Sequence, residues 1–178
     1  MSTAIERIKS RRSVRRFKDE PVPREIIEQI VTAGTYAATG MNRQSPIILA
    51  VTNRALRDRL SAMNAQILER MGRDFGSDPF YGAPVVLVVL ADRNVPTCIH
   101  DGSLVMGNLM LAASELGIGS CWIHRAKEAF DSEEGKAILA ELGVTGDYVG
   151  IGHCILGYPQ GEIPEAKPRK ENYVFWAE

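Results

Sequence analysis

With 178 residues, of which 45% are hydrophobic and 24% charged, the chain is long enough for a single domain, residues 1–178, with a substantial core. Its net charge of −1 disfavours a dedicated nucleic-acid-binding protein, because contacts to many phosphates require a surplus of positive charge. The longest apolar stretch, Val85–Ala91, is too short to cross a membrane, and no apolar leader follows the first residues. Three widely spaced cysteines, Cys98, Cys121 and Cys154, favour reduced thiols, so we expect a cytoplasmic protein. From the net charge and the short apolar stretches, we expect neither a nucleic-acid nor a membrane partner.

The chain opens with a short amphipathic helix signal, which is followed by a strongly basic turn. Thr3 and Glu6 have the spacing of a capping box. Residues 9–18 read Lys-Ser-Arg-Arg-Ser-Val-Arg-Arg-Phe-Lys, and six of these ten side chains are cationic. A basic turn of this kind can hold a phosphate through guanidinium groups, a hydroxyl and backbone N–H groups. It can equally be a solvated face or a nucleic-acid patch, so the segment alone leaves three interpretations open.

The elements after this turn mix helices and strands without a regular βαβ alternation. Helices are predicted from about Pro23, with a small-residue end at 33–38, from Asn53 to about residue 71, over Thr97–Leu116 and over Ser132–Glu141. Strands are predicted at Pro46–Thr52, at Pro84–Leu90, in the turn and strand Gly117–Ile123, and at Gly152–Tyr158. This pattern predicts an α+β fold.

Two segments indicate burial against a further partner. The helix predicted at Thr97–Leu116 is apolar or small over most of its circumference, so it is expected to pack against more than one partner, and a second subunit is a plausible one. The tail, Glu162–Glu178, carries the basic run Lys167–Lys170 and then the apolar run Tyr173–Trp176. We expect this aromatic end to pack on its own chain or across an interface.

Two loops carry side chains that suit binding of a small molecule. The loop Thr39–Pro46 presents the amides of Asn42 and Gln44. The loop Gly72–Gly82 holds three aromatic residues among turn residues. Aromatic side chains on such a loop pack into the core beneath it (as local plugs) more often than they contact a substrate, and both interpretations stay open.

Several other chemistries are disfavoured by the motifs. The sequence Gly117–Trp122 has Trp where a dinucleotide fingerprint requires its third Gly, and neither a P-loop nor a G-x-S-x-G motif occurs. A metal site built from Cys98, His100, His153 and Cys154 is disfavoured, since His153 and Cys154 are strand neighbours that point to opposite faces. We therefore expect no metal.

Four features occur in a fixed order along the chain. They are Arg-Arg-Ser-Val-Arg-Arg-Phe at 11–17, Asn-x-Gln at 42–44, Leu-Gly-Ile-Gly-Ser-Cys-Trp-Ile at 116–123, and Gly-Tyr-Pro at 157–159 with the basic tail at 167–170. Together they resemble the FMN-dependent nitroreductase family, in a compact version. The resemblance implies a central, mostly antiparallel sheet flanked by helices. It also implies an intertwined homodimer with FMN at the interface and a C-terminal segment that reaches the partner.

The same resemblance implies a set of cofactor-binding residues. They are Arg11, Arg12, Ser13, Arg15, Asn42, Gln44, Trp122, Ile123, His124, Lys167 and Arg169. Arg11 and Ser13 would serve the phosphate and ribityl end of FMN, and Arg15 the pyrimidine edge of its ring. No side chain is expected to act as nucleophile or acid, because the flavin carries the chemistry. Arg15 would stabilise the negative charge that reduction places on the N1/O2 edge.

The remaining implied contacts differ in which subunit supplies them. Asn42 and Gln44 would come from the other subunit. Residues 122–124 would run beside the isoalloxazine and supply a backbone N–H to the redox-active nitrogen. Lys167 and Arg169 would close on the phosphate.

The expected activity is transfer of electrons from NAD(P)H to a flat, electron-poor acceptor, such as a nitroaromatic or a quinone, by a ping-pong mechanism. Three alternatives remain. One is a specialised flavin reductase or dehalogenase on the same scaffold, and another is a flavin-binding module without turnover. The third is a nucleic-acid-binding domain that uses residues 7–18.

Overall fold

An antiparallel sheet lies at the centre of the computed structural model, which describes residues 3–73 and 76–178. The helices are α1 (Ala4–Ser10), α2 (Arg24–Thr35), α3 (Arg54–Arg70), α4 (Cys98–Glu115), α5 (Ala126–Asp131) and α6 (Glu133–Glu141), with a 3₁₀ turn at Gly40–Asn42. The strands are β1 (Pro46–Val51), β2 (Val85–Asp92), β3 (Gly119–Ile123) and β4 (Tyr148–Gly157). Their order is β1-β2-β4-β3, and each neighbouring pair is antiparallel. The predicted α+β class with a mostly antiparallel sheet is confirmed.

Helices cover both faces of this sheet. Alternate β2 residues, Val86, Val88 and Leu90, pack with side chains of α3, α5 and α6. The β2 residues between them pack with α2 and α4. Because successive strand side chains point to opposite faces, a strand buried on both sides reads as one continuous apolar run. Within the described residues, no helix is both long and apolar enough to cross a membrane.

Local capping signals set several helix starts where the sequence predicts them. The Thr3 hydroxyl accepts from the Glu6 N–H (3.2 Å), and the Glu6 carboxylate accepts from the Thr3 N–H (2.8 Å), which confirms the capping box. The side chain of Asn53 caps α3 by accepting from the Leu56 N–H (3.0 Å). Ser132 caps α6 in the same way. These caps satisfy N–H groups that a helix start otherwise leaves without acceptors.

The structure differs from the sequence prediction around the last strand. The predicted strand Gly152–Tyr158 is wrong at its start, because β4 begins at Tyr148. Glycine weakens the strand signal in this part of the sequence. In the structure a larger residue would not fit at Gly150, because a Cβ there would overlap the carbonyl of Ala126. Gly150 thus allows α5 to approach β4. Helix α5 itself was not predicted, since its six residues are too few to show a helical period.

The loop between α3 and β2 closes over the core. Phe80 is wholly buried and Tyr81 is half-buried, and both pack in the cluster on that face, as expected of local plugs. Asp78 holds the loop by accepting from the Phe80 N–H (2.9 Å) and by pairing with the buried Arg57. The third aromatic residue of this loop, Phe75, lies outside the described residues.

The C-terminal tail leaves the sheet after β4 and lies open to solvent. Its apolar end is exposed, with Tyr173 at 68% and Trp176 at 85%. Packing of this end on its own chain, one of the two expectations, is therefore wrong.

Candidate functional site

The basic segment 9–18 lies along the outer edge of β3. Two apolar side chains within it, Val14 and Phe17, are buried in the core. The Val14 N–H donates to the Ser120 carbonyl (2.9 Å), so the segment is tied to the strand by a backbone bridge. Burial of these two apolar residues fixes the backbone and leaves the neighbouring cationic side chains at the surface.

The tail passes over this segment and forms a cleft with it. The cleft has a volume of about 820 Å³ and is lined by Ile8, Lys9, Arg11, Arg12, Ser13 and Arg15 on one side and by residues 164–169 on the other. It brings together six of the predicted ligands: Arg11, Arg12, Ser13, Arg15, Lys167 and Arg169. Six of the lining side chains are cationic and one, Glu165, is acidic, so the cleft suits an anion.

Two arginines that line this cleft each carry a buried donor nitrogen without an acceptor within the described ranges. Arg11 Nη1 and Arg12 Nε are buried and have no hydrogen-bond partner among the described residues. The other end of Arg12 is engaged, since its Nη1 donates to the carbonyls of Lys9 and Arg11 (both 2.7 Å). Buried donors without acceptors cost free energy, and a bound anion would supply the missing acceptors. A phosphate, with several acceptor oxygens, fits this arrangement.

The end of β3 carries the next predicted contacts. Trp122 is half-buried over Gly152, where a Cβ would overlap the indole. Its Nε1 and the hydroxyl of Ser120 are buried without hydrogen-bond partners in the described part of the chain. The ring of the exposed His124 lies 5.9 Å from that of Trp122. The side chain of Ile123 is buried in the core, so only its backbone is accessible to a ligand.

The loop with Asn42 and Gln44 lies elsewhere. Both side chains are exposed, and the Gln44 Nε2 donates to the Asn42 Oδ1 (3.3 Å). The loop precedes β1 at one edge of the sheet, whereas the cleft lies beside β3 at the other edge. The loop and the cleft are separated by three inter-strand spacings across the sheet and by about six residues along the strands. These two offsets together correspond to a distance of roughly 25 Å. One chain therefore does not bring these two amides to its own cleft.

Two buried polar residues were not predicted from the sequence, and each holds a loop that carries predicted ligands. Asn64 on α3 donates to the His124 carbonyl (2.9 Å) and accepts from Arg125 Nε (2.9 Å), just after β3. Arg125 has the left-handed φ of 74°, which such contacts help to hold. Asp101 on α4 accepts from the Gly40 N–H (3.0 Å). Asn64 and Asp101 could have been found from the sequence as polar residues on the core side of a predicted helix.

Buried His153 and Cys154 do not provide acid–base or nucleophilic groups. Burial lowers the pKa of His153 to about 4, although the nearby backbone of Ile123 and His124 raises it somewhat. Neither ring nitrogen makes a hydrogen bond of normal geometry within the described residues. Burial raises the pKa of the Cys154 thiol to about 12, with the Cys121 sulfur adding to the rise. At neutral pH the imidazole is neutral and the thiol protonated.

Metal ligation has no visible basis in residues 3–73 and 76–178. In these ranges, no group of three or more His, Cys, Asp or Glu side chains is placed to hold a metal ion. The three cysteines are buried free thiols.

Comparisons with known proteins identify relatives of this chain. The profile of the nitroreductase family matches residues 8–158. Relatives from Archaeoglobus fulgidus and Methanothermobacter thermautotrophicus carry the provisional name NADH dehydrogenase/NAD(P)H nitroreductase. The first is 30% identical over 169 residues, which cover 91% of this chain and 88% of the relative. The second is 28% identical over 122 residues, or 66% of this chain, and the match spans only 59% of that relative.

A solved structure extends the comparison to three dimensions. The crystal structure of a nitroreductase with bound FMN from Bacteroides fragilis superposes with a TM-score of 0.86 at 29% sequence identity. The match covers 100% of both chains. The shared fold thus includes the segments that form the cleft.

Proposed function

The chain belongs to the nitroreductase family, and from that premise we propose that it is an FMN-dependent oxidoreductase that transfers electrons from NAD(P)H to a small acceptor. The NAD(P)H and FMN in this proposal are supported by the names of the relatives and by the FMN-bound structure from Bacteroides fragilis. The observation in this chain that carries the proposal is the cationic cleft with its buried, unsatisfied arginine nitrogens. The whole domain, residues 1–178, would be needed, because both ends of the chain line this cleft.

The residues present fit FMN. Arg11, Ser13, Lys167 and Arg169 would hold the phosphate, since they converge on one cleft and supply several hydrogen-bond donors. Trp122 would flank the ring system, because it lies on the same strand as Ser120, about 7 Å further along. Arg12 donates from Nη1 to the carbonyls of Lys9 and Arg11 and would contribute its remaining donors.

When bound, FMN supplies hydride acceptance and donation, which no side chain of the protein can provide. Arg15 is exposed at the rim of the cleft and carries a permanent positive charge. We assign to it the stabilisation of the negative charge that reduction adds at the N1/O2 edge. The backbone at 122–124, which Asn64 holds, would be oriented toward the redox-active nitrogen.

The complete site would require a homodimer. Asn42 and Gln44 are exposed and roughly 25 Å from the cleft of their own chain, so a second subunit would have to supply them. Leu104 on α4 and the aromatic tail are exposed apolar surface that a partner would cover. We therefore propose an intertwined dimer in which each C-terminal segment reaches the partner.

The acceptor would be flat and electron-poor, such as a nitroaromatic or a quinone. Donor and acceptor would occupy the same site in turn, because stacking on one accessible ring face accommodates only one of them at a time. The kinetic pattern would then be ping-pong. A specialised flavin reductase or dehalogenase on this scaffold is the second candidate, supported by an iodotyrosine deiodinase of Thermotoga neapolitana that is 28% identical over 131 residues.

The phosphate contact is tested by the Arg11→Ala variant. Losing a charged contact to a buried phosphate should cost about 2 kcal/mol or more, or roughly a 30-fold weaker affinity for FMN. The measurement is quenching of FMN fluorescence by the apoprotein, with circular dichroism as the check on folding. Arg54→Ala, which removes an exposed charge on α3, is the matched control and should bind FMN as the wild type does. Wild-type affinity in Arg11→Ala would show that the segment is only a solvated basic face.

A further inference from the structure

The loop that carries Asn42 and Gln44 adopts a strained backbone. Three of its residues have left-handed φ values: Met41 (53°), Asn42 (54°) and Gln44 (50°). None of them is glycine, and side chains with a Cβ rarely adopt this conformation. Strain of this kind persists only where the surrounding structure holds it, and it concentrates at functional loops.

A single buried carboxylate holds both ends of this loop. Asp101 is only 2% exposed, and its Oδ1 accepts from the Gly40 N–H (3.0 Å). Its Oδ2 accepts from the Ser45 hydroxyl (3.0 Å) and from the Thr97 hydroxyl (2.9 Å). Gly40 also packs tightly on Thr97, where a Cβ would overlap the hydroxyl. The loop therefore begins and ends on the same side chain of α4.

The hydrogen bonds from the loop favour the charged form of Asp101, which indicates that the loop and this carboxylate stabilise each other. Among the described residues, no Lys or Arg forms an ion pair with Asp101, and a buried carboxylate without a cation is normally unfavourable unless hydrogen bonds offset its burial. Burial raises its pKa, but the hydrogen bonds from Gly40, Thr97 and Ser45, with the nearby His100, lower it below the ordinary value. The carboxylate is thus ionised at neutral pH and available as a pure acceptor to all three donors.

We propose that Asp101 is a positioning residue that fixes the loop 40–45 so that Asn42 and Gln44 are aimed at the flavin in the partner subunit's cleft. This inference rests on the proposed function, since it takes FMN as the ligand of those two amides. Asp101 itself lies beneath the loop and acts only through it.

The central experiment is a double-mutant cycle on FMN affinity. Asp101→Asn keeps the size of the side chain but replaces an acceptor oxygen with a donor, so it should loosen the loop. Its FMN affinity should fall on the order of ten-fold, the range for one buried donor left without an acceptor. In a chain that already carries Asn42→Ala and Gln44→Ala, the same substitution should cause little further loss, because the groups it positions are gone. FMN fluorescence quenching gives the affinities, and near-ultraviolet circular dichroism reports the fold.

Controls separate positioning from general stability. Asp58→Asn alters a carboxylate on α3 that pairs with Arg54 and Arg57 rather than with the loop, and it should bind FMN normally. Ser45→Ala removes one of the three donors without disturbing Asp101 and should give a smaller loss of affinity. If Asp101→Asn does not fold, Ser45→Ala decides the question, and unchanged FMN binding in it would overturn the inference.

The outcomes distinguish this inference from the proposed function. Wild-type FMN affinity in folded Asp101→Asn, together with weak binding in Asn42→Ala and Gln44→Ala, would overturn the positioning role and leave the proposed function intact. An equal loss of affinity with and without the two amides would overturn it as well, since the effect would not pass through them. A wild-type chain that does not bind FMN would instead remove the proposed function.

Discussion

His153 is a buried titratable group whose cost to folding depends on pH. It is wholly buried between the rings of Phe80 and Phe130, and burial lowers its pKa to about 4 from an ordinary value of 6.5. Between pH 4 and pH 6.5, His153 binds a proton in the unfolded chain but not in the folded chain. Stability is therefore lost as the pH falls from about 6.5 to about 4, by up to about 3 kcal/mol.

The variant His153→Leu should remove this part of the pH dependence. Leucine fills a similar volume and does not titrate, so the free energy of unfolding should fall less between pH 6.5 and 4 than in the wild type. Urea denaturation of the apoprotein at several pH values measures it. Ile155→Leu, a buried apolar exchange on the same strand that removes no titratable group, is the control and should keep the wild-type dependence. Parallel pH profiles for wild type and His153→Leu would show that the imidazole is protonated in the folded chain.

Single residues also mark how far the sequence could predict the site. The predicted ligands Arg11, Arg12 and Ser13 lie in one local motif, so the sequence predicts them together. Asp101 lies 61 residues from Gly40 and 56 from Ser45, and only the folded chain brings their polar atoms together. No local pattern specifies such a contact.

At the scale of elements, the regular helices and strands could be predicted because their signals are local. The limits of α3 and β1 agree with the predicted ones within one or two residues, because a cap and an apolar, β-branched run define them. The start of β4 and the helix α5 could not be predicted. The strand signal is weak at Gly150, whose role is a close approach between distant backbones, and α5 is too short to show a helical period.

Glycine substitutions in β4 test this packing. A Cβ at Gly150 would meet the backbone of Ala126, which cannot rotate away, whereas a Cβ at Gly152 would meet the indole of Trp122. Gly150→Ala should therefore lower the free energy of unfolding by about 1–3 kcal/mol, and Gly152→Ala by less. Only Gly152→Ala should change the tryptophan fluorescence by displacing Trp122. Denaturant unfolding measures both, and a greater loss in Gly152→Ala would contradict the described packing.

At the scale of the whole molecule, one chain does not bring all of the predicted ligands together. The cleft and the loop with Asn42 and Gln44 lie at opposite edges of the sheet. The family resemblance predicts both sets of residues and implies that Asn42 and Gln44 come from the other subunit, whereas the distance between the two sets within one chain follows from the strand order. The dimer proposed here resolves that separation.

Removing the exposed tail tests the dimer. A chain that ends at Lys170 lacks the apolar run at 173–176 but keeps Lys167 and Arg169 in the cleft. It should lose dimerisation and FMN affinity together, because in the proposed dimer the partner supplies part of the site. Sedimentation at micromolar concentration and FMN fluorescence quenching measure the two properties. The full-length variant Phe175→Ser, Trp176→Ser keeps chain length and charge and should behave in the same way. A truncated chain that stays dimeric with full FMN affinity would contradict the proposed interface.

The most direct measurement is the visible absorbance of the wild-type protein after it has been mixed with FMN and freed of unbound flavin by gel filtration. NADH and then NADPH are added to separate anaerobic samples. We predict a yellow protein whose flavin absorbance is bleached by at least one of the two nucleotides and restored by a nitroaromatic or a quinone. A colourless protein after gel filtration would contradict the assignment of the cationic cleft to FMN, and a yellow protein that neither nucleotide bleaches would contradict the proposed NAD(P)H-dependent activity.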